Sequence, residues 1–161
     1  MTKGVQDLMY AVERVRDEFH SAVYTAGDLD AALALTSTDC ALLNIPAGTG
    51  AGSAGALRRY LAEDVLPHLP ADLTFRRVSR TGNRWTVAQE DLVGFTHDRA
   101  LPWLLRGVAP THRPVEVLAI SVVTVRRSLI TSHRTLWDHS GLLTQLHLDP
   151  SDVATPAPAH P

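Results

Sequence analysis

At 161 residues, with 45% hydrophobic and 20% charged residues, the chain has the size and composition of one folded domain around a single core. A net charge of −2 gives no electrostatic footprint for nucleic acid or an anionic membrane as partner. Cys40 stands alone, which excludes an intrachain disulfide and a cysteine-built zinc site; with no membrane-length apolar run and no signal-peptide layout, the expected location is the cytoplasm.

Val5, Leu8, Met9, Val12, Val15, Phe19 and Val23 recur at three- and four-residue intervals, with charged residues on the other face, and predict a long amphipathic helix over 5–26. Gly27 ends it, and Asp28 caps a second short helix through Leu35. Cys40 to Pro46 reads as a short strand, which suits an inert core thiol at its start. A glycine-rich turn from Gly48 to Gly55 follows, and Leu57, Tyr60, Leu61 and Val65 mark a third helix stopped by Pro67 and Pro70.

Residues 72–80, 84–97, 114–126 and 129–137 are rich in Val, Ile, Leu, Thr and Trp and predict four long strands. Thr81-Gly82-Asn83 suggests a tight hairpin, and 98–113, with Pro102, Gly107 and Pro110, reads as a loop. Leu142, Leu143 and Leu146 define a short last helix, and the Pro/Ala-rich segment 150–161 is expected to be a disordered tail behind a single domain over 1–149. Helices gathered early and strands gathered late predict an α+β fold: a curved, mostly antiparallel sheet wrapped around the long first helix. Such a sheet forms a cone whose wide mouth is a natural cavity for a small molecule.

Gly50-Ala51-Gly52-Ser53-Ala54-Gly55 matches a dinucleotide-binding glycine pattern, but two helices precede it and no βαβ alternation surrounds it. A turn leading into a Ser53 cap is the better reading, so no cofactor is expected. The eight histidines form neither H-E-x-x-H nor H-x-H, and no metal is expected. The last strands carry the useful pattern. In 132–138, alternation puts His133, Thr135 and Trp137 on one face and Ser132, Arg134 and Leu136 on the other. In 90–98, Glu90, Leu92, Gly94 and Thr96 share one face; Asp91, Val93, Phe95 and His97 share the opposite one. Ionisable groups inside otherwise apolar strands are solvated, paired or functional, which singles out Glu90 and His133. Asp138 stands where the last strand meets the last helix and also reads as an N-cap.

Several of these segments resemble the nuclear-transport-factor-2-like superfamily, in particular its SnoaL-like, polyketide-cyclase-like branch. The resemblance is carried by Phe95-Thr96-His97-Asp98, Trp103-Leu104-Leu105 with Gly107-Val108 and Pro110-Thr111, Val115-Glu116-Val117, and Trp137-Asp138 with the leucine-bearing last helix. Asn44-Ile45-Pro46 and Val78-Ser79-Arg80-Thr81 fit as well, so that the likeness runs from about residue 5 to 149. It implies a cone-shaped α+β barrel, usually dimeric, with acid–base chemistry on a small organic ligand and no cofactor. Two departures stand out. Where such relatives carry His-Glu-His, this chain has Ser132-His133-Arg134, so that His133 replaces a carboxylate. The Asp-Arg-Asp set of limonene-type epoxide hydrolases is absent, with Glu90, Leu92 and Thr135 at the roughly corresponding places.

The expected function is thus cyclisation or isomerisation of a mostly apolar natural-product-like substrate by proton transfer. Hydrolysis of an epoxide or lactone is the enzymatic alternative, and a non-catalytic binding module the alternative of another class. His133 is the expected general base or acid, through an imidazole that titrates near neutral pH, and Glu90 its orienting or complementary partner. Asp138 and His97 are expected at the pocket rim, with Asp138 a catalytic candidate. Trp137, Trp103 and Leu92 are expected to shape the apolar wall, with Asn44 and Thr135 also meeting substrate. An outer sheet face with Val93 and Phe95 is expected to form a homodimer.

Overall fold

The computed structural model describes residues 2–155. Helix α1 (Lys3–Ser21) runs on through a π-turn (Ala22–Ala26) that Gly27 ends in the left-handed region, at φ 62°. Helix α2 (Leu29–Ala34) starts at Asp28, whose carboxylate accepts from Ala31 N–H. Strand β1 (Thr36–Ile45) and the short β2 (Thr49–Ala51) form a hairpin, and α3 (Ala54–Arg59) continues through a second π-turn (Tyr60–Val65). Strands β3 (Thr74–Gly82), β4 (Thr86–Thr96), β5 (Pro114–Arg126) and β6 (Leu129–Trp137) follow, then α4 (His139–Leu146). The sheet order is β2-β1-β6-β5-β4-β3, with β1 and β6 parallel and every other pairing antiparallel. The sheet is not closed: β2 and β3 are its edges.

The four long strands match the sequence expectation within about two residues because their period-two burial is so regular; β4 alternates without a break. On its inner face Val87, Gln89, Asp91, Val93 and Phe95 are buried, and on β5 so are Val115, Val117, Ala119, Ser121, Val123 and Val125. Helix α1 lies against this face, with Val12, Val15 and Phe19 buried. Each such apolar side chain contributes about 1.5–3 kcal/mol relative to exposure. Leu57, Leu101, Leu104 and Leu142 complete a continuous core, and Cys40 joins it with burial pushing its thiol up to about 11.

Three sequence readings change. The glycine-rich turn contains strand β2, where Gly50 sits at φ 144° and an added Cβ would lie 1.9 Å from the Leu42 carbonyl oxygen. A close strand approach therefore demands that glycine, while Ser53 caps α3 by accepting from Ala56 N–H. Val93 and Phe95 face inward, at 0% and 3% exposure, so they cannot form an outer contact surface. The outer face instead exposes Leu118, Ile120 and Leu136, at 40%, 45% and 44%. Finally, order runs past residue 149. Asp149 caps a 3-10 turn (Pro150–Asp152), Val153 packs on the core, and Ala154 N–H donates to the Arg106 carbonyl at 2.9 Å. The rest of the expected tail, 156–161, lies outside the described residues.

Candidate active site

The inner face carries a polar cluster that α1 completes. Arg16 occupies the apolar stripe of α1, between Val12, Val15 and Phe19, and is 5% exposed. Its position there is forced by helical spacing, so the sheet has to supply its partners. Nη2 donates to Asp91 at 3.4 Å and to Ser121 Oγ at 3.5 Å, while Nη1 donates to Asp17 at 3.1 Å. Asp91, 4% exposed, accepts at both oxygens from Gln89 Nε2, at 2.8 and 2.9 Å. Gln89 Oε1 in turn accepts from Arg80 Nε at 2.7 Å, and Arg80 donates through both terminal nitrogens to Asp17. Five side chains thus close a ring, Arg16–Asp91–Gln89–Arg80–Asp17, drawn from α1, β4 and β3. Glu13 adds a second carboxylate 3.5 Å from Arg80. The Arg80 and Arg16 guanidinium groups outweigh burial and hold the Asp17 carboxyl below its usual range.

Beside the ring stand two histidines. His133, on the inner face of β6 and 7% exposed, lies 5.6 Å from the Phe19 ring, centroid to centroid. Burial, and then the Arg16 charge, push its pKa down to about 4. His20, one helical turn after Arg16, is pushed down to about 3 by burial, then by Arg16 and His133. Both imidazoles are therefore neutral at pH 7, not poised near neutrality as the sequence suggested. His20 also belongs to an aromatic trio: its ring lies 4.7 Å from Tyr24 and 4.4 Å from Phe75, and these two are 4.9 Å apart. Arg16, His20, Tyr24, Phe75, Asp91, Ala119, Ser121, His133, Thr135 and Trp137 enclose a cavity of about 20 Å³. That is room for about one water molecule, far below the roughly 300 Å³ of a typical ligand pocket. A ligand enters only if part of the wall moves.

No family model matches the chain, and no curated protein matches it in sequence. Solved structures do match in shape. A protein named as a SnoaL-like polyketide cyclase, from Jannaschia sp., is 16% identical with a TM-score of 0.70, covering 93% of this chain and 98% of its own. IdmH of Streptomyces antibioticus, named as a polyketide cyclase, is 21% identical with a TM-score of 0.62, over 84% of this chain and 98% of its own. A ketosteroid-isomerase-like protein of Catenulispora acidiphila, solved with trimethylamine, is 15% identical with a TM-score of 0.65, over 88% and 97%. The chain has the NTF2-like fold. Its neighbours include SnoaL-like, NTF2-like and ketosteroid-isomerase-like proteins, which match the superfamily that the sequence resembles.

Within this NTF2-like cone, three of the expected site residues, His133, Thr135 and Trp137, line the cavity together. Two stand behind it. Asn44, 7% exposed, donates to Tyr60 Oη at 2.8 Å and accepts from Trp137 Nε1 at 3.1 Å, which fixes that indole. Trp103 backs the Trp137 ring at 5.8 Å and is 1% exposed. The remaining four are elsewhere. Glu90 and Leu92 point to the outer face, where Glu90 accepts from Ser79 Oγ at 3.1 Å, so Glu90 does not meet His133. The register makes the reason plain: Glu90 is level with Ile120 and Leu136, whereas Asp91 is level with Ala119 and Trp137. Asp138 is an exposed N-cap accepting from Gly141 N–H at 2.9 Å. His97 is no rim residue either: it is 0% exposed, its Nδ1 facing Thr111 at 3.1 Å in the 98–113 loop.

Sequence reasoning missed Arg16, His20, Tyr24, Phe75, Asp91 and Ser121. A usable signal existed for Arg16. It falls three residues before Phe19 and four after Val12, on a stripe where a lone charge requires a buried counter-ion. Among the described residues no three His, Cys, Asp or Glu side chains gather as a metal site.

Proposed function

We propose that this chain is a cofactor-free enzyme that cyclises or isomerises a small, mostly apolar molecule by moving a proton inside the inner-face cavity. The observation that carries this reading is a buried neutral imidazole, His133, beside the Arg16–Asp91 pair in a cavity whose wall also includes Phe75, Tyr24, Ala119 and Trp137. A neutral imidazole accepts a proton without first losing one. The negative charge left on the substrate then meets Arg16, a cation held in place by the ring and exempt from deprotonation. Return of the proton from imidazolium to a different atom completes an isomerisation or ring closure, with no net loss of charge or electrons. Low dielectric strengthens each of these interactions once the cavity has closed over its ligand.

A hydrolase is the second reading. Room for about one water beside Asp91 and His133 is what adding water to an epoxide or lactone needs. Running the reaction in oxygen-labelled water distinguishes them. Hydrolysis places the label on a product oxygen; cyclisation or isomerisation by proton transfer leaves none. H133Q retains shape but cannot take up a proton near neutral pH, and it is expected to lose roughly 10²- to 10⁴-fold in turnover. Full activity in H133Q refutes this role. We further propose that two copies associate through Leu118, Ile120 and Leu136, the apolar residues exposed on the outer face.

A further inference from the structure

Three cavity-lining residues each carry a buried nitrogen with no partner: Arg16 Nε, His20 Nε2 and His133 Nδ1. Buried polar atoms are almost always satisfied, so three around one small cavity point to an acceptor that binds among them. Arg16 Nε–H is an obligate donor. The two imidazoles are neutral, and each accommodates an N–H at its unpartnered nitrogen by choice of tautomer. Among the nearby acceptors, Asp91 takes the Gln89 amide at both oxygens and Arg16 Nη2 at one, and Ser121 Oγ takes Arg16 Nη2. None of them reaches the three nitrogens.

We infer that the ligand carries a carboxylate on an apolar body, bound along the Nε–Nη2 edge of Arg16 with His133 and His20 as further donors. This inference rests on the proposed use of the same cavity and adds the ligand's class. One ketone oxygen has two lone pairs for three donors, whereas a carboxylate has about four acceptor sites and fits a guanidinium edge with two parallel bonds. The present bonds of Arg16 to Asp91 and Ser121 are long, at 3.4 and 3.5 Å, so Nη2 shares itself readily. The groups facing His133 and His20 are Arg16, Asp17 and Tyr24 from α1, Arg80 from β3 and Asp91 from β4, and Arg16 is the charge that depresses both imidazoles most. Burial is the larger cause of both depressions and Arg16 the next; an anion docked on Arg16 offsets that field and raises both pKa values. Binding of the correct ligand would thus make His133 a more effective base at the moment it is needed.

Three probes of one shape decide the matter: benzoate, benzamide and benzamidine, which are anionic, neutral and cationic. Binding is followed on the full-length protein through the imidazole NMR signals of His133 and His20, with their titration midpoints measured for each saturated complex. Benzoate is expected to bind about tenfold or more tighter than benzamide, to raise both midpoints, and to exclude benzamidine. R16K keeps the charge beside Asp91, and hence the fold, but lacks the forked edge; it should lose most of the preference for benzoate. Equal binding of benzoate and benzamide, preference for benzamidine, or no binding of any probe at millimolar concentration overturns the inference. So does an R16K protein with undiminished preference. None of these outcomes bears on proton transfer by His133, which the H133Q turnover measurement tests separately.

Discussion

Acid should destabilise this protein through His133, and the size of the effect follows from its surroundings. In the folded chain burial and Arg16 hold the imidazole pKa down to about 4, against 6.5 when it is free. Between those values the unfolded chain binds a proton that the folded chain refuses, so stability falls as pH falls. The contribution is fully present above about pH 6.5 and fully lost below about pH 4. A depression of this size corresponds to about 3 kcal/mol, a large share of the roughly 5–15 kcal/mol that holds a domain together. The perturbation is H133Q, which leaves a polar side chain of similar length but removes the titration. Urea unfolding at a series of pH values gives the stability curve of each protein. The curve of H133Q should be flatter by about that amount between neutral pH and pH 4, with His20 accounting for much of the remaining slope. An identical slope in the two proteins refutes the placement of His133 as a buried neutral base, as does a folded-state imidazole midpoint near 6.5 by NMR.

Other expectations follow from single contacts. N44A strands Trp137 Nε1 and Tyr60 Oη in the core, costing about 2–4 kcal/mol and lowering Tm by roughly 5–15 °C at this size; a drop under about 2 °C would show that Asn44 holds nothing. I120E places a charge at the centre of the exposed outer patch and should convert a dimer to monomer in light scattering without altering the fold; a wild-type monomer at micromolar concentration removes the dimer proposal. D138A loses the cap on α4, at about 1 kcal/mol, and should leave turnover intact; a loss of turnover comparable with that of H133Q would return Asp138 to the catalytic set.

Element type was readable almost throughout, because it depends on local periodicity and punctuation. The alternation of 114–126 and 129–137 placed β5 and β6 to the residue, and Asp28 and Ser53 announced the helices that they cap. What alternation does not say is which face of a strand is inside. Glu90 with Leu92 and Asp91 with Val93 are both an acid beside an apolar residue, and only the register with α1 and β6 decides between them. That decision reversed the choice of Glu90 and brought in Asp91. The π-turn at Ala22–Ala26, which carries the cavity residue Tyr24, was likewise invisible, since its extra residue leaves no mark in a helical pattern. His133, Thr135 and Trp137 line the cavity together because a single strand face carries all three. Arg16 escaped notice because its buried partner Asp91 lies 75 residues away in sequence.

A crystal structure of the protein with a substrate, product or tight-binding inhibitor tests the central claim most directly. The expected result is ligand between Arg16 and His133, with Phe75 and Tyr24 turned outward and the cavity enlarged from about 20 Å³ to several hundred. Ligand seated on the outer sheet face, or anywhere that leaves Arg16, Asp91 and His133 untouched, contradicts it.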